Sequence, residues 1–412
     1  MGASLHNGPT RREAFRFWLK LGLISFGGPA GQIAIMHREV VERRRWLDGQ
    51  PFMHALNFCM LLPGPEALQL AIYLGWRLHG VAGGIVAGLC FILPAVGLLL
   101  ALSFVYALHG TVPLVAAALF GLKATVIALI VQALFRLGRH ALGHPVHRAV
   151  ALAAFVLMAG RYAPFPLLLA AAALAGMLVS RGHAPRAVPG PAPFQWKSLL
   201  IGLALWALPA ALVAWLAGPD ALHAQLYRFF TTAALVTFGG AYAVLAWVSQ
   251  QVVEVHGWLT QAQAVAGLAL AETTPGPLII VLRFIGFMAG WNQPGAAGPA
   301  TAATYAALLT SWATFLPSFV FILVGAPYVE RLTSNLRLAG ALAGVTAAVV
   351  GVIGSLAVVF GRAVLFPAGL EAPVWPAIAI AAAALITLQW TRIDVLWIIA
   401  GGAVAGLLLG LA

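Results

Sequence analysis

A chain of 412 residues that is 62% hydrophobic and only 8% charged is not a soluble globular protein, because soluble domains carry roughly 25% charged residues. Its net charge of +12 would suggest nucleic acid. The basic residues sit mostly beside apolar runs long enough to cross a bilayer, so they read as topology signals, and no nucleic-acid partner is expected.

Residues 1–13 are a basic tail with no separate apolar run or small-residue cleavage site, so no removable signal peptide is expected. Residues 14–36 are apolar but broken at Phe26-Gly27-Gly28-Pro29, and residues 38–46 are polar, with Arg38, Arg43, Arg44 and Arg45. Residues 50–79 are apolar and broken at Leu62-Pro63-Gly64-Pro65-Glu66. Four spans are expected near 81–108, 112–135, 148–162 and 165–180, which ends an N-terminal repeat at 14–180. A linker at 181–224 opens with a polar Pro/Gly stretch and contains an extra span near 197–217. A C-terminal repeat occupies 225–412, with breaks at Phe238-Gly239-Gly240 and Glu272-Thr273-Thr274-Pro275-Gly276-Pro277 and spans near 303–326, 338–360, 375–391 and 393–411. Cys59 and Cys90 lie in apolar runs and read as small buried hydrophobes, not a disulfide.

The two halves read as copies. Phe26-Gly27-Gly28, Trp46-Leu47 and Pro63-Gly64-Pro65 each return 212 residues later. Leu93-Pro94 pairs with Leu316-Pro317 after an insertion around 293–301. Three motifs in one register mark an internal duplication.

Basic residues favour cytoplasmic loops. The loop at 38–45 is strongly basic and its counterpart, 250–257, has no Lys or Arg. The turn at 109–113 has none, whereas its counterpart holds Arg331 and Arg337. The bias reverses between the copies, and the extra span supplies the odd crossing that inversion needs. The expected fold is an all-α polytopic membrane protein. It has two homologous repeats in inverted topology, each with two broken, re-entrant helical hairpins and about four transmembrane helices, joined by an extra transmembrane helix. That makes nine full spans and four hairpins, with a cytoplasmic N-terminus. Full crossing by each broken segment is the other reading.

A helix break in hydrocarbon is tolerated only where it is buried in protein or lines a cavity. Broken helices at matching positions of two repeats point to a transporter's binding site. Pro29, Pro65 and Pro277 can each start the helix after a break, aiming free N–H groups and a positive dipole end inward. Gly27, Gly28, Gly64, Gly239, Gly240 and Gly276 would let an anion approach the backbone. Pro63 and Pro275 complete the breaks, and Thr273 and Thr274 add hydroxyl donors. The bland reading is a set of kinks and close-packing glycines, common in membrane helices.

Lys123, about midway along its span, and Arg283, two turns past the second Pro-Gly-Pro, are intramembrane cations and hence candidate substrate ligands. Glu66 and Glu272 flank the two breaks and are candidate proton carriers; Glu66 can equally cap its helix. Gln32, Gln69 and Arg77 are weaker candidates, and Arg77 can snorkel to the interface. No H-E-x-x-H, G-x-S-x-G or Walker-type loop is present. No metal, cofactor or enzymatic activity is expected, and transport would draw on an ion gradient or a partner.

Phe26-Gly27-Gly28-Pro29, Arg44-Arg45-Trp46-Leu47, Leu62-Pro63-Gly64-Pro65-Glu66-Ala67 with Gln69-Leu70-Ala71, Phe238-Gly239-Gly240 and Thr274-Pro275-Gly276-Pro277 together resemble the chromate ion transporter family in its long, two-domain form. The resemblance implies efflux of chromate across the inner (plasma) membrane, coupled to the proton-motive force and giving chromate resistance, with sulfate as a competing dianion. Sulfate or other oxyanion transport or exchange, and an anion channel, stay open beside it, as does a homodimer. Residues 293–300 have no first-half match and carry no function over.

Overall fold

In hydrocarbon an uncharged run can satisfy its backbone only as a helix. The computed structural model describes residues 8–26, 28–179, 195–329, 336–391 and 393–411. Among these it has sixteen α-helices and no strand.

The first repeat runs α1 (Arg11–Ile24), α2 (Gly28–His37), a π-helical turn (Arg38–Arg43), α3 (Gly49–Leu61), α4 (Glu66–His109), α5 (Pro113–Ala141), α6 (Pro145–Ala159) and α7 (Phe165–Val179). Helix α8 (Trp196–Ala217) follows. The second repeat runs α9 (Leu222–Leu235), α10 (Ala241–Gln250), a π-helical turn (Gln251–Val255), α11 (Gln261–Glu272), a 3₁₀ turn (Leu278–Ile280), α12 (Val281–Asn292), α13 (Pro299–Gly325), α14 (Leu336–Leu365), α15 (Trp375–Trp390) and α16 (Val395–Leu411). Helix α4 is two helices meeting at His79 and Gly80, where Gly80 has φ +65°. The polar stretch 181–193 and Arg331 lie outside the described residues.

The duplication extends to backbone detail. In the first π turn Arg44 N–H donates to Glu39 O (3.0 Å) and Trp46 N–H to Val40 O (2.8 Å). In the second, His256 N–H donates to Gln251 O (2.9 Å) and Trp258 N–H to Val252 O (2.8 Å). The guanidinium of Arg44 sits 5.3 Å from the Phe17 ring and 5.0 Å from Trp46. His256, at the matching position, stacks on Trp258 at 4.2 Å and lies 5.6 Å from Phe229. A cation–π cap in one copy is an aromatic stack in the other.

The copies exchange their ends. Helices α15 and α16 pack on α5 of the first repeat, α6 and α7 pack on α14 of the second, and α5 meets α14. Glycines make the exchange close. A Cβ on Gly121 would run into Gly402 O, and one on Gly344 into Ala172 O, the backbone-to-backbone packing that small residues permit between membrane helices. Each repeat is thereby incomplete without the other.

Five helical stretches among the described residues are long and apolar enough to cross a bilayer, fewer than the nine full spans expected. Helices α6, α7, α15 and α16 have 15, 15, 16 and 17 residues, against the roughly 20 a perpendicular crossing needs. The arms of the broken segments are shorter: α1, α2, α3 and α11 have 14, 10, 13 and 12 residues, about 15–21 Å at a helical rise of ~1.5 Å per residue. Helix α8 leaves Leu200, Ile201, Leu208 and Trp215 exposed and buries only Gly202, the profile of a peripheral lipid-facing helix. With Trp196, Trp375, Trp390 and Trp397 also exposed near helix ends, the chain is a polytopic helical membrane protein. Cys59 and Cys90 are both free and buried.

Candidate functional site

Four helix beginnings meet at the breaks. Helix α2 starts at Gly28 (φ +74°), with Pro29 as its second residue. Helix α10 starts after Gly239 and Gly240, at φ +68° and +103°. Pro65 (φ −75°, ψ 108°) caps α4, and Pro277 (φ −71°, ψ 130°) caps the 3₁₀ turn that leads into α12. Both prolines thus stand one residue ahead of the expected first helical position. Their extended ψ suits the non-helical cap residue. Gly64 and Gly276 take φ +122° and +95°, conformations that side-chain-bearing residues avoid.

The breaks are tied across the copies. Gly64 N–H donates to Thr237 O and Gly276 N–H to Ser25 O, each at 2.8 Å. Gln32 Nε2 donates to Gly276 O (2.6 Å) and Ser25 O (3.1 Å), and Gln69 Nε2 to Pro63 O (2.7 Å). Both glutamine side chains are fully buried, and both Oε1 atoms are without a partner among the described residues. The glutamines therefore brace the break backbone with their donors and leave acceptors over.

A small, partly open cavity lies where these ends converge. Pro29 and Gln32 of α2, Gly64 to Ala67 at α4, Gly240 and Ala241 at α10, and Pro277 to Ile279 before α12 line it, with Thr237. Each of these helix beginnings contributes unpaired amides and a positive partial charge. Glu66 supplies the one carboxylate of the lining, and no Lys or Arg takes part.

The remaining candidates lie around this centre. Glu272 ends α11 and accepts a hydrogen bond from the Tyr242 hydroxyl, in the first turn of α10. Thr273 Oγ1 and Thr274 Oγ1 donate to Leu270 O and Ala271 O, each at 2.7 Å. In this structure both hydroxyls cap the end of α11. Arg283 on α12 is 2% exposed and donates from Nη1 to Ser311 Oγ at 2.7 Å. Lys123 is half-buried in α5 and has no hydrogen-bond or ion-pair partner among the described residues. Neither cation lines the cavity. Arg77 is exposed at the end of the first arm of α4, as snorkelling requires. Gly27 lies outside the described residues, and among these no group of three metal-ligating side chains is present.

Tyr242, Ser25 and Thr237 were not among the residues the sequence singled out. The signal for the last two was available: two hydroxyl residues 212 apart, each just before a glycine pair.

Paired broken helices around a central cavity, in a chain of tandem repeats, define a polytopic membrane protein built like a transporter. The chromate transporter family matches residues 12–177 and again 224–407, and the chain belongs to that family. It is 36% identical to a chromate transport protein of Pseudomonas aeruginosa, over 83% of this chain and 79% of that one. It is 30% identical to a chromate transport protein of Cupriavidus metallidurans, over 98% of this chain and 95% of the relative. A probable chromate transport protein of Synechococcus elongatus is also 30% identical, over 87% and 86%. These relatives are transport proteins and not enzymes. No solved structure matches the chain.

Proposed function

We propose that the protein is a secondary active transporter that exports chromate from the cytoplasm across the inner membrane, driven by the proton-motive force, and so confers chromate resistance. The observation that carries this reading is the convergence of four helix beginnings on one cavity. Helix N-termini favour oxyanions. In this reading Gly27, Gly28, Gly64, Gly239, Gly240 and Gly276, with Pro63, Pro65, Pro275, Pro277, Thr273 and Thr274, form the anion-facing breaks. Lys123 and Arg283 compensate the substrate's charge, and Glu66 and Glu272 carry protons.

Electrostatics favours the outward direction. A membrane potential is worth about 2.3 kcal/mol per charge per 100 mV. A dianion leaving a negative interior therefore gains roughly twice that, about a thousandfold in concentration. Import of the same ion would need several accompanying protons. Sulfate, of like shape and charge, competes for the site. The basic loop at 38–45 sets the N-terminus in the cytoplasm, and the second copy is inverted relative to the first.

Chromate flux into inside-out vesicles, with pH gradient and potential imposed separately, tests this. Uphill accumulation is expected with an acidic interior even at zero potential, with sulfate reducing it. Accumulation that follows the potential alone and ignores the pH gradient would mean a channel.

A further inference from the structure

Helix α13 carries a row of hydroxyls that the fold does not use. Thr310, Thr314 and Ser318 recur every four residues, on one face of the helix. They are 0%, 2% and 1% exposed, and none of the three hydroxyls has a hydrogen-bond partner among the described residues. Ser and Thr inside helices ordinarily donate to the carbonyl four residues back. Ser25, Ser103, Thr125, Thr237, Ser311 and Thr346 of this protein do so. The row on α13 departs from that pattern three times over; Thr231 on α9 is a single further buried hydroxyl without a partner among the described residues.

The row has a direction. A methyl group built on Gly64 would come within 2.7 Å of Ser318 Oγ, so this end touches a break that lines the cavity. Thr310 Oγ1 lies against Gly286 of α12, one turn from Arg283, which donates to Ser311 beside Thr310. Eight residues of helix, about 12 Å, thus join the break to a buried arginine. Among the described residues Arg283 Nε–H has no acceptor, and no ion pair involves Arg283. A buried guanidinium without a carboxylate lacks its counter-charge.

The duplication supplies a comparison within the chain. Arg283 corresponds to Ala71, and Thr310, Thr314 and Ser318 correspond to Ala87, Phe91 and Ala95. All four counterparts are fully buried. The frame packs with apolar side chains in one copy, so the hydroxyls and the charge in the other are not required by it.

We propose that Arg283 and the hydroxyl row Thr310, Thr314 and Ser318 form a second oxyanion station, which the transported tetrahedral dianion reaches from the break cavity. This rests on the reading of that cavity as the substrate site. The guanidinium offers a fork of N–H donors to two oxygens, and the hydroxyls donate to the others. An ion with four acceptor oxygens can use every donor, which a spherical anion of the same size cannot.

The test is equilibrium binding of radiolabelled chromate, and separately of radiolabelled sulfate, to purified full-length protein, with vesicle flux measured on the same variants. Thr314→Val keeps the shape and removes the hydroxyl. It should weaken oxyanion binding about 10-fold or more, as loss of a hydrogen bond to a charged group does, with the amount of folded protein unchanged. Thr314→Ser should restore binding, and Arg283→Lys should lose more than Thr314→Val because the fork is gone. Thr387→Val, on a hydroxyl that donates to Ala383 O, is the control. Unaltered binding and flux in both Thr314→Val and Arg283→Lys would overturn the station and leave the cavity reading standing. If the parent protein moves no chromate, the cavity reading falls. The station is then judged by sulfate binding alone: sensitivity to Thr314→Val upholds it, and insensitivity or no binding overturns it.

Discussion

Gly64 donates its backbone N–H to the carbonyl oxygen of Thr237 at 2.8 Å. The two residues belong to different copies of the repeat, and the bond has a twin in Gly276 and Ser25, also at 2.8 Å. The halves are therefore fastened at the breaks by two equivalent bonds. Any movement of one break relative to the other copy strains both.

The glycines at these breaks give the first prediction. Gly64 and Gly276 have φ of +122° and +95°, and a non-glycine residue in left-handed conformation costs roughly 1–2 kcal/mol, more with a branched Cβ. A Cβ on Gly64 would also come within 2.7 Å of Gln69 Nε2. Gly64→Val and Gly276→Val should each lower chromate flux at least about tenfold while protein persists in the membrane. Gly401→Leu is the control, since Gly401 is exposed and a Cβ there meets nothing. Gly402 would mislead in that role, because a Cβ there runs into Thr125 Oγ1. Full export by both valine variants would reduce the breaks to simple kinks.

Much of this arrangement was legible in the chain. Proline and glycine act locally, so Phe26-Gly27-Gly28-Pro29 and the two Pro-Gly-Pro stretches marked where helices stop, and their common register exposed the duplication. Three things were not legible. That α6 and α7 lie on α14 of the other copy is a tertiary choice with no local signature. Thr310, Thr314 and Ser318 look like any hydroxyls in an apolar run until their missing partners are seen. That the hydroxyls of Thr273 and Thr274 donate to carbonyls at the end of α11 has no signature in the motif itself.

The second prediction concerns sidedness. Arg44 and His256 occupy matching positions, one a cation over two rings and the other stacked on Trp258. Burial holds the His256 imidazole below the ordinary histidine range, so it is uncharged at neutral pH. A charged cap on one side and a neutral one on the other is what inversion under the positive-inside rule requires. In a background lacking Cys59 and Cys90, Arg44→Cys and His256→Cys should react with an impermeant maleimide from opposite faces. Labelling of both from one face would sink the inverted topology.

The third prediction concerns Glu272, whose carboxylate is held by Tyr242 from the first turn of α10. Tyr242 is two residues past Gly240, which lines the cavity, so movement of that helix start changes the carboxylate's partner. Glu272→Gln should spare chromate binding and flatten the pH dependence of flux. Tyr242→Phe should displace the same pH profile without abolishing it. Profiles that match the parent in both variants would remove Glu272 from proton coupling.

The last prediction separates a substrate role from a structural one for the two buried cations. A dianion at mid-membrane carries a desolvation penalty that backbone dipoles alone do not offset. Lys123 and Arg283 are the cations placed well inside long or buried helices, one in each half. Lys123→Met and Arg283→Met should each cut flux by about tenfold or more. Lys123→Arg should retain part of it if charge is the main requirement, and less if the compact ammonium matters. The structural alternative is that either cation pairs with Glu272 and serves only the fold. The carboxylate of Glu272 is engaged by Tyr242 instead, and neither cation forms an ion pair among the described residues. Removing the acid should therefore not compensate for removing the base. Flux per folded protein in Lys123→Met/Glu272→Gln and Arg283→Met/Glu272→Gln should stay as low as in the single methionine variants. Recovery of both protein and export in either double variant would show that its cation is a structural partner of Glu272 and not a ligand of the anion.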